Sequence, residues 1–212
     1  MLIPALPVAA DECQRLPLPS VTIKRLDEKI SNSLEYGYKT LNSLSGALSR
    51  PGNQVLGLTR GQTHVRYEMK LHRLLSADGQ WECASPQITL SYGFTPMTIY
   101  VAREFPPGSC AYREVFAHEQ RHVRAYQAHA QAVEAEIVEA MNHRFATGSY
   151  WRGPVGEIQI RLKEELSGRW IPYVKNVLKR VESDQARIDT PDEYDRISAS
   201  CDGEIRRLLL TR

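Results

Sequence analysis

Residues 110–123 read CAYREVFAHEQRHV, and the five at the centre, His118-Glu119-Gln120-Arg121-His122, form an H-E-x-x-H pattern. The chemistry of that pattern needs a helix. Residues four apart lie on one face, so both imidazoles can reach one Zn2+, while Glu119 projects beside them towards a metal-held water. The metal lowers that water's pKa towards neutrality, and the carboxylate takes its proton as hydroxide attacks a carbonyl. The surrounding residues agree. Ser109 suits an N-cap, and no Gly or Pro interrupts the chain from Cys110 to Gly148, which predicts one long helix. On a wheel of about 100° per residue with His118 at zero, the apolar residues Tyr112, Val115, Val123, Tyr126, Val133, Ile137 and Met141 fall at about 60° to 140°. His122 falls at about 40° and Glu119 at about 100°, in the middle of that stripe. A carboxylate buried there without a partner is costly, so the three inward-pointing polar groups call for a metal. Gln120, Arg121, Arg124 and Gln127 take the opposite, solvated face.

Two histidines are not a complete site. His129 lies near 20° on the same wheel, but seven further residues of continuous helix rise about 10 Å, beyond the reach of one zinc with bonds near 2 Å. No glycine bends the chain between His122 and His129, so His129 reads as a helix-face histidine. A carboxylate from a later helix is the expected third ligand. Candidates are Glu157, Glu164 and Glu165, or the group Asp189, Asp192, Glu193 and Asp195. The second group is favoured because it sits at a capped helix start close to Cys201. Within it Glu193 is singled out, with Tyr194 beside it to polarise a substrate carbonyl.

Outward from the motif, Val65, Tyr67, Met69 and Leu71 alternate with His64, Arg66, Glu68 and Lys70, the pattern of a half-buried antiparallel strand. Ala77-Asp78-Gly79-Gln80 supplies a turn, and a second strand runs from Gln87 to Phe94. Pro96 is expected to break it, with a third strand from Thr98 to Ala102. Earlier, Ile23, Leu26, Ile30 and Leu34 fall at helical spacing and predict a short helix, followed by a loop ending at Pro51-Gly52. Later, Pro154 opens a helical stretch that Pro172 kinks, and Thr190-Pro191 starts a last helix with Thr as cap and Pro at the first position.

The 212 residues are 42% hydrophobic, enough for a real core in a single domain over 11–212 whose C-terminal part, from about residue 150, is helical. With 27 basic and 25 acidic residues the net charge is only +2, which gives no electrostatic case for nucleic acid or an acidic membrane surface. Met1 to Ala10 are uncharged in their side chains and too few to span a bilayer, and Val8-Ala9-Ala10 before Asp11 resembles the end of a secretory signal. The four cysteines, Cys13, Cys83, Cys110 and Cys201, include no CxxC pair. Two disulfides in an oxidising compartment fit them better than a cysteine-rich metal cluster. Of the three pairings, Cys83 with Cys110 and Cys13 with Cys201 is the expected one. If Cys201 instead joins Cys110, the acidic group is held near the start of the zinc helix.

The stretch from about Thr63 to Ile137, with THVRYEMKL, WEC, QITLSYGF and CAYREVFAHEQRHV, resembles an uncharacterised bacterial family of predicted secreted zinc-dependent proteases. The C-terminal DTPDEYDRISASC is similar to the tail of that family's members. The resemblance implies an α+β, zincin-like fold, a small antiparallel sheet packed on a long H-E-x-x-H helix and followed by further helices. It implies His118 and His122 as zinc ligands and Glu119 as base. Arg121 departs from the pattern, standing where many zincins carry Gly. The expected function is a periplasmic or secreted zinc metallopeptidase acting on protein or peptide substrates, with the strand before the zinc helix pairing with an extended substrate. A catalytically inactive zincin-fold binding protein of the cell envelope is the alternative, and an amidase of cell-wall peptides would use the same chemistry.

Overall fold

Strand β4, Trp81–Val101, organises the sheet: β1 (Ser20–Arg25), β2 (Ile30–Ser33), β3 (Gly57–Leu75) and β5 (Trp151–Pro154) all pair with it. Its 21 residues offer different neighbours at its two ends. Near one end Trp81–Ala84 runs antiparallel to β5, and near the other Met97–Tyr100 runs parallel to β2. Ala84, Ile88, Leu90, Tyr92, Phe94, Met97 and Ile99 are all buried. Ile88, Leu90, Tyr92 and Phe94 alternate in sequence with Thr89, Ser91 and Gly93, the period-two pattern of a strand that turns one face into the core. The computed structural model describes residues 12–26, 29–45 and 54–210. The signal-like segment 1–10 and the turn at Pro51-Gly52 lie outside the described residues.

Several expectations hold and several need correction. In β3 the residues Val65, Tyr67, Met69 and Leu71 are half-buried, while His64, Arg66, Glu68 and Lys70 are exposed. The turn after it forms as read, with Gly79 at φ 68° and Asp78 Oδ1 accepting from Gln80 N at 3.0 Å. Pro96, however, does not break β4. It is exposed, and pairing with β2 begins only at Met97, so the missing N–H is not called on by that ladder. The sheet is mixed rather than antiparallel, because β2 returns to β4 through a long connection that permits parallel pairing. The helix expected from Ile23 to Leu34 is absent: the β-branched run Val21-Thr22-Ile23 pairs as β1, Ile30–Ser33 as β2, and the helix α1 spans Tyr38–Ser45.

The chain divides into two compact units, each assembled from three separated segments. The first takes its described residues from 12–24, 65–91 and 134–174. Here the disulfide Cys13–Cys83 fixes the short 3-10 turn Glu12–Arg15 to β4, and Tyr150 OH donates to Leu16 O at 3.0 Å. Helices α3 (Glu134–Phe145) and α4 (Glu157–Glu165) bury Ile137, Met141, Phe145, Ile158 and Leu162. Each such side chain contributes roughly 1.5–3 kcal/mol by leaving water. Arg144 closes this core from outside, over Trp151 at 4.5 Å and in a two-pronged ion pair with Glu165 at 2.7 and 2.6 Å. The kink expected at Pro172 is a π turn, Leu166–Trp170, directly before α5 (Ile171–Lys179). A proline cannot donate to the preceding helical turn, and a wider turn absorbs the mismatch.

The second unit takes its described residues from 25–26, 29–45, 54–64, 92–133 and 175–210. Its axis is α2, Cys110–Ala132, which starts where Ser109 Oγ accepts from Tyr112 N at 3.1 Å. The single long helix expected from Cys110 onward is therefore two, since α2 ends at Val133 and α3 follows. Besides α1 and the end of α5, the unit holds α6 (Val181–Ile188), α7 (Pro191–Ala199) and α8 (Glu204–Leu210). Thr190 caps α7 as read, its Oγ1 accepting from Glu193 N at 3.2 Å. Within this unit α2 packs along α6, and Val115, Val123, Val177, Leu178, Val181 and Ile197 are buried. The second disulfide joins Cys110 to Cys201, so the expected pairing of Cys83 with Cys110 and Cys13 with Cys201 is overturned. Their Cα–Cα separations of 5.6 and 5.8 Å are those of ordinary bridges. No helix among the described residues is long and apolar enough to cross a membrane.

Candidate metal centre

His118, Glu119 and His122 are all buried on one side of α2, and their ligand atoms lie within 4.8 Å of one another. This His-Glu-His group could hold a metal ion. A fourth residue comes from the junction after α6. Asp189 Oδ1 stands 3.1 Å from His118 Nε2 and 3.2 Å from His122 Nε2, and the two Nε2 atoms are 3.1 Å apart. For bonds near 2.0–2.1 Å, neighbouring ligand atoms of a tetrahedral zinc site stand about 3.3–3.4 Å apart. The triangle is close to that size.

The opposite edges of the rings explain what points them inward. His122 Nδ1 faces Gln185 Oε1, while Gln185 Nε2 donates to His122 O at 3.2 Å. A carboxamide oxygen only accepts, so His122 carries a proton on Nδ1 and turns the Nε2 lone pair towards Asp189 in the neutral ring. That leaves two acceptors face to face unless positive charge lies between them. His118 Nδ1 has Glu193 Oε1 at 3.3 Å, to which it donates when protonated. When unprotonated it accepts from Arg121 Nη2 at 2.7 Å. Arg121 also pairs with Glu193, and Arg196 bridges Glu193 to Glu114. Arg121 is therefore drawn into the site and is not the purely solvated residue of the helical wheel.

The charges respond accordingly. Burial raises the Asp189 carboxyl, but hydrogen bonds and charge from His118 and His122 outweigh it and hold it well below the usual carboxylate range. Hydrogen bonding from Arg196, with Arg121 and His118 adding to it, takes Glu193 down to about 2 against a smaller cost of burial. Burial disfavours the His122 cation, yet Asp189 and Glu119 overcome that and raise its pKa. Glu119 goes the other way. Burial pushes its carboxyl up, against the pull of His122, His118 and the Thr59 hydroxyl.

Thr59 and Gly57, both on β3, shape the Glu119 pocket. Thr59 Oγ1 donates to Glu119 Oε2 at 2.8 Å, so one carboxylate oxygen is held. A Cβ on Gly57 would stand 2.5 Å from Glu119 Oε1 and 2.8 Å from Val115 Cγ1, so only glycine leaves the carboxylate its position. The group opens into a cleft of 570 Å³, within the range of small-ligand pockets.

No protein-family model matches the chain, and no match emerges among curated proteins or solved structures. The site is thus argued from its own geometry. Glu193, singled out from the sequence, lies at the Nδ1 edge of His118, and its neighbour in the same acidic group, Asp189, faces both Nε2 atoms. Asp192 is exposed, and Asp195 lines the cleft. Glu165, among the other candidates, is engaged by Arg144 and Trp170. Both nitrogens of His129 are occupied, by Val177 O at 3.1 Å and Asp184 at 3.3 Å, as befits a helix-face histidine. Tyr194 stands with its ring 6.5 Å from that of His118. The residues that sequence reading missed are Gln185, Arg121, Thr59 and Gly57. Gln185 and Asp189 are four apart, a spacing that marks one face of a helix opposite H-E-x-x-H. Nothing local marks Gly57.

Proposed function

We propose that this chain is a zinc metallopeptidase of zincin-like fold that works in an oxidising compartment, periplasmic or secreted. The observation that carries the reading is the triangle of His118 Nε2, His122 Nε2 and Asp189 Oδ1, three potential ligand atoms 3.1–3.2 Å apart beside a cleft. Two imidazoles and one carboxylate are a donor set suited to zinc, and three protein ligands leave a fourth position for chemistry, whereas structural zinc sites are closed by four. This favours an enzyme over an inactive binding protein. The resemblance of residues 63–137 to an uncharacterised family of predicted secreted zinc-dependent proteases agrees with this reading, and two disulfides fit an oxidising compartment.

Each residue has a definite task. His118, His122 and Asp189 would hold the ion, with Glu193 and Gln185 fixing the two rings through Nδ1. A bound zinc would supply Lewis acidity, stabilising negative charge as it develops on oxygen in acyl transfer. Glu119 takes the proton of the attacking water and returns it to the leaving amine, and its upward-shifted carboxyl suits a group that must both accept and release. Thr59 holds Oε2, leaving Oε1 for the proton. Tyr194 is placed to polarise the substrate carbonyl. Peptide bonds are the proposed substrate, and amides of cell-wall peptides would meet the same groups.

The test is elemental analysis of the purified protein beside a His118→Ala/His122→Ala variant, followed by peptide hydrolysis with Glu119→Gln as control. About one zinc per chain, absent from the double variant, with hydrolysis abolished by Glu119→Gln, is the expected result. A protein that neither retains zinc nor gains stability from it would refute the reading.

A further inference from the structure

Among the described residues, the charged groups that line the cleft outside the candidate metal centre are of one sign. They are Glu182 and Asp195, with no Lys or Arg among them. Both acids are exposed, and neither is paired with a cation among the described residues. The other acids nearby are all engaged: Glu193 by Arg121 and Arg196, Glu114 by Arg196, and Asp184 by Arg187 and His129. Two exposed carboxylates without an ion-pair partner among the described residues favour cations over anions where they line the cleft.

Their places along the site differ. Glu182, on α6, lines the cleft together with Tyr126, which lies one helical turn beyond His122 on α2. Asp195, on α7, follows Tyr194, whose ring is 6.5 Å from that of His118. The two acids therefore flank the histidine pair, one towards each end of α2. The apolar part of the same lining is Leu56, Leu58, Val115, Val181, Ile197 and Leu209.

From this arrangement we infer that the cleft selects cationic peptides, seating an apolar side chain on the wall and Lys or Arg side chains at Glu182 and Asp195. The inference deepens the peptidase reading and rests on it for what happens to the bound peptide. Exposed ion pairs are individually weak, so the preference comes from two together and falls with salt.

The experiment measures binding separately from cleavage. Two fluorescent peptides of equal length share a central leucine, one flanked by lysines and the other by glutamates, and are titrated into the full-length Glu119→Gln chain with zinc present. Anisotropy should show the lysine peptide binding about tenfold tighter at low salt. Adding Glu182→Lys and Asp195→Lys, both exposed and outside the metal centre, should reverse the order while zinc content and circular dichroism stay unchanged. Equal affinities, no binding of either peptide, or an order that survives the charge reversal would overturn the inference. Selective binding of the lysine peptide without hydrolysis by the unmodified protein would instead sink the peptidase reading and leave the selectivity standing.

Discussion

Glu119 depends on an absence, the missing side chain of Gly57. The Cβ of Gly57→Ala would meet Glu119 Oε1 at 2.5 Å and Glu119 Cγ at 2.7 Å, with the rigid Val115 on the other side. Overpacking of this kind costs about 1–3 kcal/mol, and the cheapest relief is to displace the Glu119 carboxylate. Gly57→Ala should keep zinc content near one per chain while peptide hydrolysis falls at least about tenfold, as expected when a base is misplaced by an ångström. Unchanged hydrolysis would mean that Glu119 works from another position. Asp189 and Glu193 make a second contrast. Asp189→Ala deletes a proposed ligand oxygen, whereas Glu193→Gln keeps a partner for the His118 ring. Loss of an outer partner lowers metal affinity by about 10–100-fold, and loss of a direct ligand should exceed that. Competition with a chelator ranks the two. If Glu193→Gln proves the more damaging, the ligand assignment is reversed.

Helices α3 and α4 are held by Arg144, which grips Glu165 with two hydrogen bonds, while Trp170 Nε1 donates to the same carboxylate at 3.1 Å. Burial raises the Glu165 carboxyl, but Arg144 and Trp170 prevail and leave it below its ordinary value. A carboxyl lowered on folding adds stability that is complete above its unfolded pKa and disappears as pH falls through the folded one. Glu165→Gln should therefore cost about 1 kcal/mol at neutral pH, a modest figure because Arg144 is 39% exposed. Denaturation midpoints of the two proteins should converge as pH drops below the ordinary carboxylate range, and a constant gap would show that the pair is not the cause. Elements whose signals are local were legible in advance: Ser109 and Thr190 cap α2 and α7, and period-two alternation marks β3. The misses are non-local. Ile23 and Ile30 fit a helical spacing too, and only pairing with β4 decides that they belong to strands. Val133 carries no breaker, yet the helix ends there. Of the site, the α2 face could be read from spacing alone. Asp189 could only be narrowed to a group of four acids, because its position depends on how α6 runs back along α2.

The two disulfides divide between the two units, and that division separates stability from metal binding. Cys13–Cys83 lies wholly in the unit that holds α3 and α4, and Cys110–Cys201 in the unit that holds every residue of the candidate metal centre. The second bridge spans 91 residues and ties the first turn of α2 to the segment just after α7. The donors His118 and His122 lie on one side of that tie, and Gln185, Asp189 and Glu193 precede the other. Closing a loop of either size removes unfolded-state entropy and stabilises by roughly 2–5 kcal/mol. Both Cys13→Ser/Cys83→Ser and Cys110→Ser/Cys201→Ser should therefore lower the denaturation midpoint. Only the second pair should also weaken zinc binding at temperatures where the chain is still folded, by about tenfold, because the α6–α7 segment then has more freedom to lose before Asp189 can meet the histidines. Zinc affinity measured by chelator competition well below both midpoints isolates this effect from global unfolding. Equal losses of zinc affinity in the two variants would mean that the metal centre senses general stability rather than the covalent tie from α2 to the end of α7.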